Sequence, residues 1–256
     1  MTKTDIITDR MTFIVEIAGI PVRIVCRFSQ NKLFFKEYLS EKSPWISICP
    51  TENDCMDMEK RQREQAVKEG IPDKVLSPWF IENNAIHALL TEKLLQYNTI
   101  LVHGSAIVVD GAAYVFMADS GTGKSTHTRL WREHFQKRAW MLNDDKPMLK
   151  IEADRIVAYG TPWNGKHHLS RNACSPVKAI VEISRSETNY IQPISKADAF
   201  TLVHRYGLRP NSSELIIKTM QLETQIIQKV DAYHLHCNMD PEAVLVAYQG
   251  MTEGET

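Results

Sequence analysis

The sequence predicts an α/β chain in which a mixed, largely antiparallel sheet carries helices, preceded by a small α+β region. Three observations predict it. Asp110-Gly111 stands between two apolar runs, residues 106–109 and 112–117, a strong short-range hairpin signal that makes these two strands antiparallel neighbours. A glycine-rich loop, residues 118–126, then joins the second strand to a helical pattern. Beyond it, short apolar runs alternate with helix-period segments, so strands and helices share one layered unit.

Each element follows in order. Residues 12–28 alternate around Gly19-Ile20-Pro21 and predict a hairpin, followed by a partly helical segment over 31–39 and a short strand over 46–49. Residues 51–70 are charged throughout and read as a solvated surface helix. Ser77-Pro78 opens a stronger helix, whose stripe of Phe80, Ile81, Ile86, Leu89, Leu90, Leu94 and Leu95 ends at Asn98. Strands are expected at 100–104, 106–109 and 112–117, and a helix over 125–137 with Leu130, Trp131, His134 and Phe135 on one face. A strand over 139–142 ends in Asn143-Asp144-Asp145, and runs at 148–151 and 156–159 form a second hairpin around 152–155. A strand at 178–183, helices over 196–205 and 212–229, and a strand at 232–237 follow; Asp240-Pro241-Glu242 opens a last helix that ends by Gly250. Three regions result: an N-terminal α+β region over 1–98, a unit over 99–250, and a polar tail over 251–256.

Composition excludes several classes. The 256 residues carry a net charge of −1, so no basic field argues for nucleic acid. Residues 1–10 are polar with no apolar signal core, and no stretch reaches the length of a membrane helix, which predicts no membrane partner and a cytoplasmic protein. The five cysteines form no Cys-x-x-Cys pair and read as mostly buried thiols in a reducing compartment. Oligomeric state is open, and a homo-oligomer is allowed.

The loop carries the chemistry. Gly121 and Gly123 let consecutive backbone N–H groups turn inward on an anion, Lys124 adds a positive charge, and Ser125 is placed to coordinate Mg²⁺. Asp119, Ser120, Gly121, Thr122, Gly123, Lys124, Ser125 and Thr126 are therefore the candidate nucleotide-binding residues, with ATP and Mg²⁺ as the expected cofactors. Ala118 stands where the usual pattern has its first glycine, and its methyl requires a negative φ. Asp144 and Asp145 end a strand roughly twenty residues later, where one acid can hold the metal while the other accepts a proton from an attacking hydroxyl. A second turn-rich loop holds Trp163, Asn164, Gly165 and Lys166, a candidate substrate loop in which Trp163 walls a pocket and Lys166 or Arg171 neutralises the transferred phosphate. His234 and His236 share a strand face, but no third ligand is evident and no metal site is expected there.

Taken in order, His103-Gly104, the Asp110-Gly111 hairpin, Asp119-Ser120-Gly121-x-Gly123-Lys124-Ser125 and Asp144-Asp145 resemble the catalytic domain of HPr kinase/phosphorylase and its phosphoenolpyruvate carboxykinase relatives, over about residues 99–250. The resemblance implies a P-loop site of that type and a small stand-alone kinase acting on an alcohol: a serine of a protein or peptide, or a small molecule. It implies that Lys124 and Ser125 bind the ATP phosphates and Mg²⁺, with Asp144 the general base, Asp145 a metal partner and His103 close to both acids. Thr126 stands where such kinases carry an acid, and residues 1–98 do not look like their N-terminal domain, so neither HPr as acceptor nor the reverse phosphorylase reaction is implied. The competing expectation is a non-catalytic ATP-binding regulator that docks through the charged helix at 51–70.

Overall fold

The computed structural model describes residues 10–71, 75–207, 209–210 and 212–252; the polar N-terminus and the last four residues of the expected tail lie outside them. The chain divides into two units, Met1–Lys93 and Leu94–Thr256.

In the first unit, β1 (Met11–Ile17) and β2 (Ile20–Cys26) form the expected hairpin through Ala18 and Gly19, both at positive φ. A short helix, α1 (Gln30–Phe34), leads to β3 (Ile46–Ile48), which pairs parallel with β2. Alternation along β1 and β2 buries Val15, Ile17, Val22 and Ile24. Next comes α2 (Glu52–Lys68), started by a Thr51–Asp54 capping box and mostly solvated, then α3 (Pro78–Leu94). Glu82 of α3 is 1% exposed and accepts from the backbone N–H groups of Arg27 and Phe28 and from Asn31 Nδ2, which ties the end of β2 to α3.

In the second unit, β4 (Thr99–Leu101), β5 (Ser105–Val109), β6 (Ala112–Met117), β7 (Ala139–Asn143), β8 (Met148–Ile151), β9 (Ile156–Tyr159) and β10 (Cys174–Arg185) lie in the order β4-β8-β9-β10-β6-β5-β7. Two further strands, β11 (Tyr190–Pro193) and β12 (Asp231–Cys237), extend it, with β12 paired to β10 and β11 to β12. Most pairings are antiparallel. The exceptions in this sheet are β6, β10 and β12, which run parallel. Asp110 (φ 50°) and Gly111 (φ 84°) close the β5–β6 hairpin with the two positive φ angles that match a two-residue turn to the right-handed twist of its strands.

Long strand β10 joins the two halves of the sheet. Cys174–Pro176 pair antiparallel with β9, whereas Ala179–Arg185 pair parallel with β12. Because β6, β10 and β12 point the same way, their carboxyl ends lie side by side: Met117 faces Glu182, and Arg185 faces Cys237. Helices α5 (Lys196–Tyr206) and α6 (Ser213–Lys229) pack Leu202, Val203, Leu222 and Ile226 on one face, against Val108, Val115 and Ile180. On the other face, α4 (Lys124–Phe135) and α7 (Glu242–Thr252) pack Leu130, Trp131, Val244 and Ala247 against Ile107, Phe116 and Val181.

Three expectations need correction. β10 begins at Cys174, well before residue 178, and β11 is a strand that the sequence did not announce. Helix α7 runs through Gly250 to Thr252, and a Cβ on that glycine would meet Ile191 Cγ2 at 2.2 Å, so Gly250 marks close packing and not a helix stop. His134 is exposed; on the buried face of α4 its expected place is taken by His127. Among the described residues, no helix is long and apolar enough to cross a membrane. Cys26, Cys55 and Cys237 are buried free thiols, and Cys49 and Cys174 are exposed ones.

Candidate functional site

The site lies where the carboxyl end of β6 meets the amino end of α4. Gly121 (φ 80°) and Gly123 (φ 129°) take backbone conformations closed to most side chains, whereas Ala118 is not among the positive-φ residues and sits buried at the strand end. Lys124, 9% exposed, donates from Nζ to the carbonyl of Ala118 at 2.7 Å and to that of Asp119 at 3.4 Å. Burial lowers its pKa, against the pull of Asp145, Asp119 and Asp144. The residue is thus a cation surrounded by three acids and held over the loop.

The acids arrive on the segment after β7. Asn143 is fully buried and organises it: its Nδ2 donates to the Thr161 and Trp163 carbonyls, while its Oδ1 accepts from the N–H groups of Asp145 and Lys146. Asp144 is 7% exposed and accepts from Ser105 Oγ at 2.5 Å; that hydroxyl lies 3.4 Å from Thr128 Oγ1, one turn into α4. Asp145 is more open, and its Oδ1 lies 3.7 Å from Nε2 of His103. Burial, Lys124 and Lys146 lower the His103 pKa while Asp145 raises it, so the imidazole is held toward its neutral form.

The loop itself is gripped from two sides. Arg205 Nη2 donates to Asp119 Oδ2 at 2.7 Å, and Tyr206 OH donates to Asp119 Oδ1 at 3.0 Å. Burial and Asp119 push the Tyr206 phenol up to about 12, so it remains a donor. Arg185 at the end of β10 donates to the carbonyls of Gly121 and Thr122. His103 is fixed in turn by its backbone N–H on the Tyr206 carbonyl. Two pockets flank the loop. One, of about 430 Å³, is lined by charged groups including Asp119, Glu182, Arg185 and Arg205; the other, of about 420 Å³, is more apolar and lies toward α4.

Most of the sequence candidates meet here: Asp119 to Thr126 form the loop and the first turn of α4, with His103, Asp144 and Asp145 grouped around Lys124. The 160–166 loop abuts the acids, since Gly165 (φ 69°) would place a Cβ 3.1 Å from that of Asp145. Exposed Lys166 follows it, and Asn164 donates to Ser170 Oγ. Arg171 is not brought to the cluster: its guanidinium lies over the Trp140 ring, 5.1 Å from the centroid. Trp163 is 7% exposed and packed, not a wall of either pocket. His234 bonds Ser184 and lies 4.0 Å from the His236 ring, which stacks on Tyr190, and no group of three metal-ligating side chains occurs among the described residues.

Sequence reasoning missed Ser105, Asn143, Lys146, Arg185, Arg205 and Tyr206. Only the run Asn143-Asp144-Asp145-Lys146 held a local signal; Arg205 reaches Asp119 across 86 positions, and nothing local announces such a pair. No protein-family model and no curated protein matches this chain. Among solved structures, the Hpr(Ser) kinase/phosphatase from Coxiella burnetii is similar over 61% of this chain and 99% of its own, at 10% identity and a TM-score of 0.38.

Proposed function

We propose that the chain is an ATP- and Mg²⁺-dependent kinase that transfers the terminal phosphoryl group to a hydroxyl of a protein, peptide or small molecule. The observation that carries this reading is the gathering of Lys124, Asp144, Asp145 and His103 around a loop whose Gly121 and Gly123 both take positive φ. A non-catalytic binder of Mg²⁺–ATP needs an acid for the metal but no second acid paired with a histidine.

Bound ATP supplies the phosphoryl group, and Mg²⁺ neutralises part of its charge. Lys124 and the N–H groups at the start of α4 meet the phosphates, and Lys166 and Lys146 add positive charge at the rim. Arg171, stacked on Trp140, leaves the list of phosphate-neutralising residues. The acids divide the remaining work. The resemblance gave proton acceptance to Asp144, but that carboxylate is buried under Ser105, beside Thr128 and one turn from Ser125. Exposure favours the reverse: Asp145, open and paired with His103, takes the proton of the acceptor hydroxyl, while Asp144 and Ser125 serve the metal.

Two variants test the reading with labelled ATP and a fractionated extract as acceptor pool. Asp145→Asn is expected to keep Mg²⁺–ATP affinity within about threefold while transfer falls about a hundredfold or more. Asp144→Asn is expected to raise the Mg²⁺ concentration needed for half-maximal binding. Wild-type transfer by Asp145→Asn removes it from the base role, and absence of any ATP turnover by the wild type with every fraction rejects the kinase.

A further inference from the structure

The kinase reading leaves one side of the loop without a task. Toward α4, Leu130, Ile183, Cys237 and Met239 line a pocket of about 420 Å³ whose rim is Gly121 to Gly123, so anything that fills it touches the phosphate loop directly. These four side chains, two of them carrying sulfur, make a largely apolar wall that suits the face of a flat aromatic ring, with Thr126, Arg185, Ser186 and Asn238 as its polar remainder. The charged pocket shares Ile183 and Arg185 with it and adds the Tyr206 ring, but its remaining wall is Asp119, Glu182 and Arg205, so it is the more polar of the two.

A polar group in this wall is unused. His127 lines the pocket, is 3% exposed, and accepts at Nε2 from Trp131 Nε1–H at 2.9 Å. Indole can only donate, so Nε2 carries no proton and the neutral ring holds its proton on Nδ1. Burial pushes the His127 pKa down to about 4, which keeps that ring neutral at physiological pH. Nδ1 is therefore a fixed donor, and it has no hydrogen-bond partner among the described residues. Buried donors are normally satisfied, so Nδ1 is a donor open to any acceptor that reaches it from the pocket. Met239, 76% exposed, lines the same pocket and is free to move over its mouth.

We propose that this pocket takes the nucleoside end of the nucleotide, with the base lying between Leu130, Ile183 and Met239 and a ring nitrogen or sugar oxygen accepting from His127 Nδ1. The inference rests on the phosphate-binding reading of the loop and adds which side of it the base occupies. It gives Met239 a role as a flap over the base and leaves the charged pocket, with Arg205 and Glu182, outside the nucleoside contacts.

The test compares ATP with inorganic tripolyphosphate, which has the phosphates and no base, by calorimetry on the full chain. Wild type is expected to bind ATP more tightly. Met239→Ala, at an exposed position that folding does not need, is expected to weaken ATP about fivefold and leave tripolyphosphate unchanged. Photolabelling with 8-azido-ATP is expected to mark the peptides holding Leu130 or Cys237 to Met239. Equal affinity of the wild type for both ligands, an unaffected Met239→Ala, or a label at Arg205 and Tyr206 overturns the base pocket while the phosphate loop stands. Binding of neither ligand by the wild type overturns both.

Discussion

His127 illustrates how a single side chain can couple the site to stability. Its ring is wedged edge-on against Phe116, with centroids 4.9 Å apart, and takes the Trp131 hydrogen bond, so protonation would place a charge in the core beneath α4. The folded state holds its pKa near 4, against about 6.5 in an open chain. Below pH 6.5 the unfolded chain binds a proton that the native chain refuses, so stability falls as pH drops from 6.5 toward 4. The full loss is about 3 kcal/mol. Above pH 6.5 the residue contributes no slope. Urea unfolding at pH 7 and pH 4.5 is expected to show a smaller difference in His127→Gln than in wild type, because Gln can still accept from Trp131 and has nothing to titrate. An unchanged difference would place the acid sensitivity elsewhere.

At the scale of elements, the carboxyl end of α5 acts as a clamp on the loop. Arg205 and Tyr206 hold Asp119, while the Tyr206 carbonyl holds His103, so one helix end touches both the loop side and the acid side of the site. The Arg205–Asp119 pair is more than half exposed, and such pairs contribute little to global stability. Removing it therefore acts locally. Arg205→Ala is expected to lower the melting temperature by less than about 3 °C, yet to speed amide exchange at residues 119–123 several-fold while leaving α4 beyond its first turn unchanged. Uniform exchange across loop and helix would reject the clamp. This contact also shows where sequence reading stops. Asp110-Gly111 and the strand–loop–helix run around Lys124 were legible because turn and helix signals are local. β11 was not, since Tyr190 to Pro193 is four residues long and ends in proline. The branch at β10 was equally silent, because pairing with β9, β6 and β12 depends on partners far away in the chain.

On the scale of the whole molecule, the residues grouped at the site all come from the unit Leu94–Thr256, and that unit has its own packed faces on both sides of the sheet. The first unit supplies none of them; within it, the buried Glu82 network and the residues from Val15 to Ile48 tie β1–β3 to α3. A ligand held by the loop should therefore stabilise the second unit by mass action. At a free concentration of 100 times the dissociation constant, Mg²⁺–ATP contributes about 2.7 kcal/mol, enough to raise the transition of residues 94–252 by about 5–10 °C. Hydrogen exchange is expected to slow at 118–126, 182–186 and 237–239, with residues 11–26 unchanged. Lys124→Ala should abolish both effects, since the cation held over the loop is the group that distinguishes a phosphate site from an ordinary glycine turn. Equal protection of residues 11–26 on adding ATP, or a thermal shift that survives Lys124→Ala, would show that the nucleotide is held by residues other than those around the loop.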